Sequence, residues 1–361
     1  MDINTDFEKQ IVKLINKFNK KYYDDVINQS NELFKKFNKV SVLPNLIGAS
    51  FAAKNEHKNA LIYFYKALEI ENNNPEILNN IAKSQIALNE FQNALVSLFR
   101  SKEIDSKNFD TFFNIGISYF EQAKYKLCLE NYLHSISLNP KIDKIFYNTS
   151  IVLSKIGKKK EAIKYLLETI KLNANHSKAY NNLATEYIYE CKYELALYYL
   201  NQALNINPNY SKAYNNIGTV YLQKKEYKTA LKNFEKAFQL DNDLIVSGVQ
   251  KHYIKRTFCD WSEENELKSI LNRSLKSDET VSPWFCLSFE DNVKNHFLRA
   301  KNYSSQFNLL KENNNIYNNK KIKIGYYAAD FHQHAGMVNM TGIFKNHNKK
   351  EFEIIGFYYG D

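Results

Sequence analysis

Small and large apolar residues return along this chain with a period of thirty-four. The stretch Ser177-Lys-Ala-Tyr-Asn-Asn-Leu-Ala aligns with Ser211-Lys-Ala-Tyr-Asn-Asn-Ile-Gly at that spacing. Extending the ruler finds small residues at Ala60, Ala94, Cys128, Ala162, Ala196 and Ala230, with Val26 one period earlier. Four places on from each comes a large apolar residue: Phe64, Leu98, Tyr132, Leu166, Leu200 or Phe234. Three further on stands Ala67, Ser101, Ser135, Thr169, Ala203 or Ala237. Upstream in each unit an aromatic or apolar residue precedes a pair three and four places on, as in Phe112/Ile115/Gly116 and Tyr214/Ile217/Gly218. Spacings of three and four place these residues on one face of a helix. Each unit therefore reads as two helices.

Two antiparallel helices per thirty-four residues, with small residues at the eighth and twentieth places, resemble the tetratricopeptide repeat. The small residues are needed where the two helices cross, because a larger side chain would force them apart. No unit can bury its apolar face alone, so successive units must stack into a solenoid. Six units fit between Ser41 and Leu244. Residues 1–40 read as a degenerate leading repeat that begins near Phe7 and acts as a cap, with Lys13–Leu14 where other units have apolar–small.

In this geometry the first helix of each unit lines the concave face. Asn80, Asn114, Asn148, Asn182 and Asn216 recur there at the sixth place of five successive units. A carboxamide offers both a donor and an acceptor, so it can pair with a peptide main chain whatever the peptide sequence. The five asparagines are thus candidates for a peptide-binding ladder. They fit a framework residue inherited by repeat duplication just as well.

From Ile245 the period is lost. Residues 245–320 read as a helical linker region containing Cys259-Asp-Trp261 and Ser282-Pro-Trp-Phe-Cys-Leu287, and ending in a polar Asn/Lys stretch. The character then changes. Lys321-Ile-Lys-Ile-Gly-Tyr-Tyr327 and Phe352-Glu-Ile-Ile-Gly-Phe-Tyr-Tyr359 read as strands, and Met337–His347 has helical spacing. Strand, helix, strand is one βαβ unit and implies a parallel sheet. Ligands bind such sheets beyond the carboxyl ends of the strands. Asp330-Phe-His-Gln-His334 falls at that end of the first strand.

Composition agrees with a helical protein. Ten Gly and five Pro are too few for the many tight turns of an all-β domain. Forty-seven residues are Asn, and only four of the forty-nine basic residues are Arg. The net charge is +10. Its signs alternate, and the longest basic run, Lys158–Lys160, is followed by Glu161. A scattered Lys surface weighs against nucleic-acid binding, which favours clustered Arg. Cys128, Cys191, Cys259 and Cys286 lack metal-ligand or redox spacing and read as reduced thiols. There is no secretory leader and no apolar stretch long enough to cross a membrane, so a soluble cytoplasmic protein is the expectation.

The segment Ala329-Asp-Phe-His-Gln-His-Ala335, followed by Met340, Gly342, Phe344, His347, Phe352–Glu353 and Gly360–Asp361, resembles the start of the catalytic region of O-linked N-acetylglucosamine transferases, in their bacterial and Spindly-like branch. The Cys-Asp-Trp and Ser-Pro-Trp segments and the asparagine ladder are similar to theirs, so the resemblance spans roughly 41–361. It implies a GT-B fold without a required metal, which transfers a sugar from UDP-GlcNAc to Ser or Thr of proteins. Residues 321–361 would be the incomplete α/β start of its catalytic lobe. His334 matches the family's active-site histidine, His332 a less critical partner, and Asn339 departs from the family pattern.

No donor-site residue of that family falls within the sequence, so this chain alone is expected to hold no cofactor, no metal ion and no UDP-GlcNAc. Two functions stay open. One is the substrate-recruiting part of a glycosyltransferase, inactive by itself. The other is a non-catalytic adaptor that binds peptides or proteins on the concave face, with homo-oligomers through the repeats also allowed.

Overall fold

The computed structural model describes residues 3–276, 281–286, 289–305, 322–328 and 352–358. The chain divides into two compact units, residues 1–300 and 301–361. The first begins with α1 (Ile3–Asn19) and α2 (Tyr23–Lys36). Six helical hairpins follow: α3 (Val42–Ala53) with α4 (His57–Ile70), α5 (Pro75–Ala87) with α6 (Phe91–Ile104), and α7 (Phe109–Glu121) with α8 (Tyr125–Leu138). Then come α9 (Asp143–Lys155) with α10 (Lys159–Leu172), α11 (Ser177–Tyr189) with α12 (Tyr193–Ile206), and α13 (Ser211–Gln223) with α14 (Tyr227–Leu240). These are the six units that the period places between Ser41 and Leu244.

Local chemistry sets the helix boundaries. Asn74 caps α5, its Oδ1 accepting from the main-chain N–H groups of Glu76 and Ile77 at 2.9 and 3.2 Å, with Pro75 at the first helical position. Asn108 Oδ1 accepts from Thr111 N–H at the start of α7, and His176 Nδ1 accepts from Ala179 N–H at the start of α11. The turn inside each hairpin is a left-handed residue closing a Schellman motif. At Ala123, for example, Lys124 N–H donates to Tyr119 C=O and Ala123 N–H to Phe120 C=O, both at 2.9 Å.

These left-handed residues are Lys21, Asn55, Asn89, Ala123, Gly157, Cys191, Lys225 and Cys259, each thirty-four residues from the next. The hairpin rhythm therefore runs one unit beyond the six at each end. Past Leu244 it is carried by α15 (Ile245–Thr257) and α16 (Glu264–Ser274). The residue signature does not extend with it, because His252 and Glu264 stand at the eighth and twentieth places of this last hairpin. Ion pairs join its helices instead: Lys251 Nζ lies 2.8 Å from Glu263 Oε2 and 2.9 Å from Glu266 Oε1, and Arg256 is 2.7 Å from Glu264. α17 (Pro283–Cys286) and α18 (Val293–Ser305) follow. Buried Arg299 of α18 bonds Ser274 Oγ, Leu271 C=O and Glu290.

The core runs as a spine between the hairpins. Ala60, Ala94, Cys128, Ala162, Ala196 and Ala230 are fully buried, as are Phe64, Leu98, Leu200 and Phe234. Burying a side chain of that size contributes about 1.5–3 kcal/mol.

In the second unit, β1 (Ile322–Ala328) and β2 (Phe352–Tyr358) pair in parallel, from Ile322 opposite Phe352 to Ala328 opposite Tyr358. The helix expected over 337–347 lies outside the described residues, as do His332 and His334.

Candidate peptide-binding face

The fifth and sixth places of neighbouring first helices meet across the unit boundary. Asn80 Nδ2 donates to Asn45 Oδ1 at 3.1 Å, and Asn114 Nδ2 to Asn79 Oδ1 at 2.9 Å. Asn182 Nδ2 donates to the Tyr147 hydroxyl at 3.2 Å, and Asn216 Nδ2 to Asn181 Oδ1 at 2.9 Å. Each bond spans thirty-five residues, from the sixth place of one unit to the fifth place of the unit before. Four of the five candidate asparagines thus tie one unit to the next. Asn114 is drawn in furthest: it is only 2% exposed, and its partner Asn79 also donates to Ser101 and Thr111.

Asn148 differs. Thirty-five residues before it stands Phe113, whose ring offers no acceptor. That ring is buried, 5.3 Å from the Tyr132 ring, with the Lys144 ammonium 5.3 Å from its centroid. The Asn148 carboxamide has no hydrogen-bond partner among the described residues, and it is half-buried. It lines a recess of about 170 Å³ with Ile117, Phe120, Glu121, Tyr132 and Ile151. The sequence carries the signal for this break, but at the fifth place of the unit, one residue before the asparagines.

Glu186 was not anticipated from the sequence. It occupies the tenth place of its unit, where the others have Ser50, Ser84, Ser118, Val152 and Val220, and it is 5% exposed. Its Oε1 accepts from the Ser154 hydroxyl, and its Oε2 has no partner among the described residues.

Burial holds several tyrosines and thiols protonated. The Cys128 thiol is pushed up to about 12 and the Tyr210 phenol to about 12, in both cases chiefly by burial. The Cys286 thiol is raised to about 11 by burial. The four cysteines are free, with Cys128 and Cys286 buried and Cys191 and Cys259 exposed. The two buried thiols, Cys128 and Cys286, are thus not activated as nucleophiles at neutral pH.

His252, Glu263 and Glu266 bring three possible metal-ligand atoms within 4.8 Å of one another. The Lys251 ammonium already bonds both carboxylates, with Lys255 2.8 Å from Glu263. A cation there would have to displace a lysine, so the cluster reads as a salt-bridge network. Among the described residues, no helix is long and apolar enough to cross a membrane.

The hairpin geometry, the crossing residues and the stacked units define a helical repeat solenoid of the tetratricopeptide type. Residues 211–244 match the tetratricopeptide repeat family. The fold is similar to that of a chain in the crystal structure of the APC/C hetero-tetramer Cut9-Hcn1, at 17% identity and TM-score 0.58, covering 68% of this chain and 48% of that one. It is also similar to PilF of Pseudomonas aeruginosa, at 17% identity and TM-score 0.52, covering 65% of this chain and 99% of that one. This chain thus spans about half the length of the first of these. No curated protein sequence matches it.

Proposed function

We propose that the face built from the first helices binds extended segments of other proteins. The observation that carries this reading is the run of six stacked hairpins, which presents successive first helices on one continuous surface bearing the half-buried carboxamides of Asn80, Asn148, Asn182 and Asn216. Such a surface can pair with main-chain N–H and C=O groups without demanding one peptide sequence. The test is titration of labelled unstructured peptides with the full chain. Saturable binding is expected, and absence of binding across a varied peptide set would reject the reading.

The finer proposal is that this recruitment serves sugar transfer. The residues from 329 to 361 resemble the start of an O-linked N-acetylglucosamine transferase catalytic region, and the parallel pairing of β1 with β2 supports an α/β lobe there. Peptides held by the repeats would supply Ser or Thr hydroxyls, and UDP-GlcNAc would be the donor. His334 would stand near the reacting groups, where an imidazole can hydrogen-bond them or move a proton near neutral pH, with His332 as a lesser partner. In a protein containing the complete catalytic region, His334→Ala should remove most transfer while leaving repeat helicity intact. Near-normal turnover would take His334 out of the site.

The second reading is a non-catalytic adaptor. It is favoured by the location of the family match, residues 211–244, within the repeats. Sugar transfer from UDP-GlcNAc to a bound peptide by the protein with its complete catalytic region would exclude it.

A further inference from the structure

The recess beside Asn148 joins three features that occur together at this one boundary. The first is the missing acceptor. At the four other boundaries the sixth-place asparagine donates to Asn45, Asn79, Tyr147 or Asn181, whereas at this one the fifth place is Phe113. The Phe113 ring is itself packed beside Tyr132 and Lys144. The second feature is an apolar recess of about 170 Å³ walled by Ile117, Phe120, Tyr132 and Ile151. A dry cavity of about 150 Å³ takes a benzene ring, so this one admits a single apolar side chain no larger than Phe. The third is Glu121, exposed at the rim of the recess and without an ion-pair partner among the described residues.

We infer that this recess is a specificity pocket for an extended peptide in which an apolar residue no larger than Phe is closely followed by Lys or Arg. The inference rests on the peptide-binding reading of the first-helix face. The apolar side chain fills the recess and removes its walls from water. Asn148 then pairs with the adjacent main chain, since both its donor and its acceptor are available. Glu121 attracts the basic side chain at the solvent edge, where a lone carboxylate selects charge more than it adds affinity. The other asparagines hold the solenoid together, so sequence selection concentrates at the boundary between α7 and α9.

The test uses the full chain and labelled peptides that differ only at one apolar and one basic position. The peptide carrying Leu then Lys should bind about tenfold more tightly than its Ser–Lys counterpart, a difference of ~1.4 kcal/mol. Glu121→Lys, an exposed change that leaves the fold intact, should reverse the preference from Lys to Asp at the second position. Asn148→Ala, which breaks no hydrogen bond between units, should weaken binding several-fold with repeat helicity unchanged. If all peptides bind equally well, or Glu121→Lys leaves the charge preference unchanged, the pocket is wrong while the face remains peptide-binding. If none of the peptides binds wild-type protein, the peptide-binding reading itself is wrong.

Discussion

A methyl group added to Gly218 would lie 2.7 Å from Cε1 of Phe234, closer than real Cβ contacts allow. The pairing recurs in a graded way through the repeats. Gly48, Gly116 and Gly218 at the eighth place go with Phe64, Tyr132 and Phe234 at the twenty-fourth. Ala82, Ser150 and Ala184 go with the smaller Leu98, Leu166 and Leu200. In the leading unit the sizes are exchanged, with buried Leu14 in register with buried Ser30. The two places share one volume, and each unit divides it differently. Gly218→Ala should therefore destabilise the protein by about 1–3 kcal/mol through overpacking, less the ~1 kcal/mol that Ala gains over Gly in a helix. Phe234→Leu in the same chain should recover part of that loss, with a coupling of about 0.5–3 kcal/mol in a double-mutant cycle. Additive effects in thermal or denaturant unfolding would contradict the shared volume.

The period made the hairpins, their boundaries and the crossing residues legible in the sequence, because packing repeats wherever the residues do. The last hairpin was not legible as a repeat. α15 and α16 keep the length and the left-handed turn at Cys259, but they are joined by Lys251, Glu263 and Glu266 rather than by small residues. Charge pairs leave no apolar period to read. The asparagine ladder was legible as a row, but not its direction. Only the structure shows Asn80, Asn114, Asn182 and Asn216 turned toward the unit before, because that depends on which residue stands thirty-five places back. His332 and His334 lie outside the described residues, and the sequence reading of them stands as a proposal.

The hairpin turns offer a second stability test. Ala123 adopts φ of 55°, in the left-handed region where a Cβ costs about 1–2 kcal/mol and Gly157 alone of the eight turn residues is glycine. Ala123→Gly should raise the unfolding free energy by about 0.5–1 kcal/mol, because the larger unfolded-state entropy of glycine offsets part of the relief. A lowered melting temperature would show that the turn holds no such strain.

Glu186 is a carboxylate at a place where other units carry serine or valine, with one oxygen unpartnered among the described residues. Glu186→Val matches Val152 and Val220 and removes the cost of burying that group. A gain of about 1–3 kcal/mol in stability is expected. A loss of stability would mean that the bond from Ser154 outweighs the desolvation.

The last hairpin should be sensitive to acid. Burial, together with the Lys251 and Lys255 charges, holds the buried His252 below its ordinary 6.5 against the pull of Glu266 and Glu263. The unfolded chain then binds the extra proton first, so stability falls as pH drops below about 6.5. Glu263 is held down from 4.5 to about 2 by hydrogen bonds from Lys251 and Lys255. Its contribution is present above 4.5 and disappears as pH falls toward 2. Denaturant unfolding across this range should show both losses. His252→Gln should flatten the upper one only, and Glu263→Gln the lower one. A wild-type profile flat between pH 7 and 5 would contradict the depressed histidine.

Peptide binding to the first helices is tested most directly by hydrogen exchange of the full chain, with and without a saturating unstructured peptide. Slowed exchange is expected in α5, α7, α9 and α11, strongest around Asn148, with the second helices α6, α8 and α10 unchanged. Protection confined to the second helices, or no protection at saturation, would contradict it.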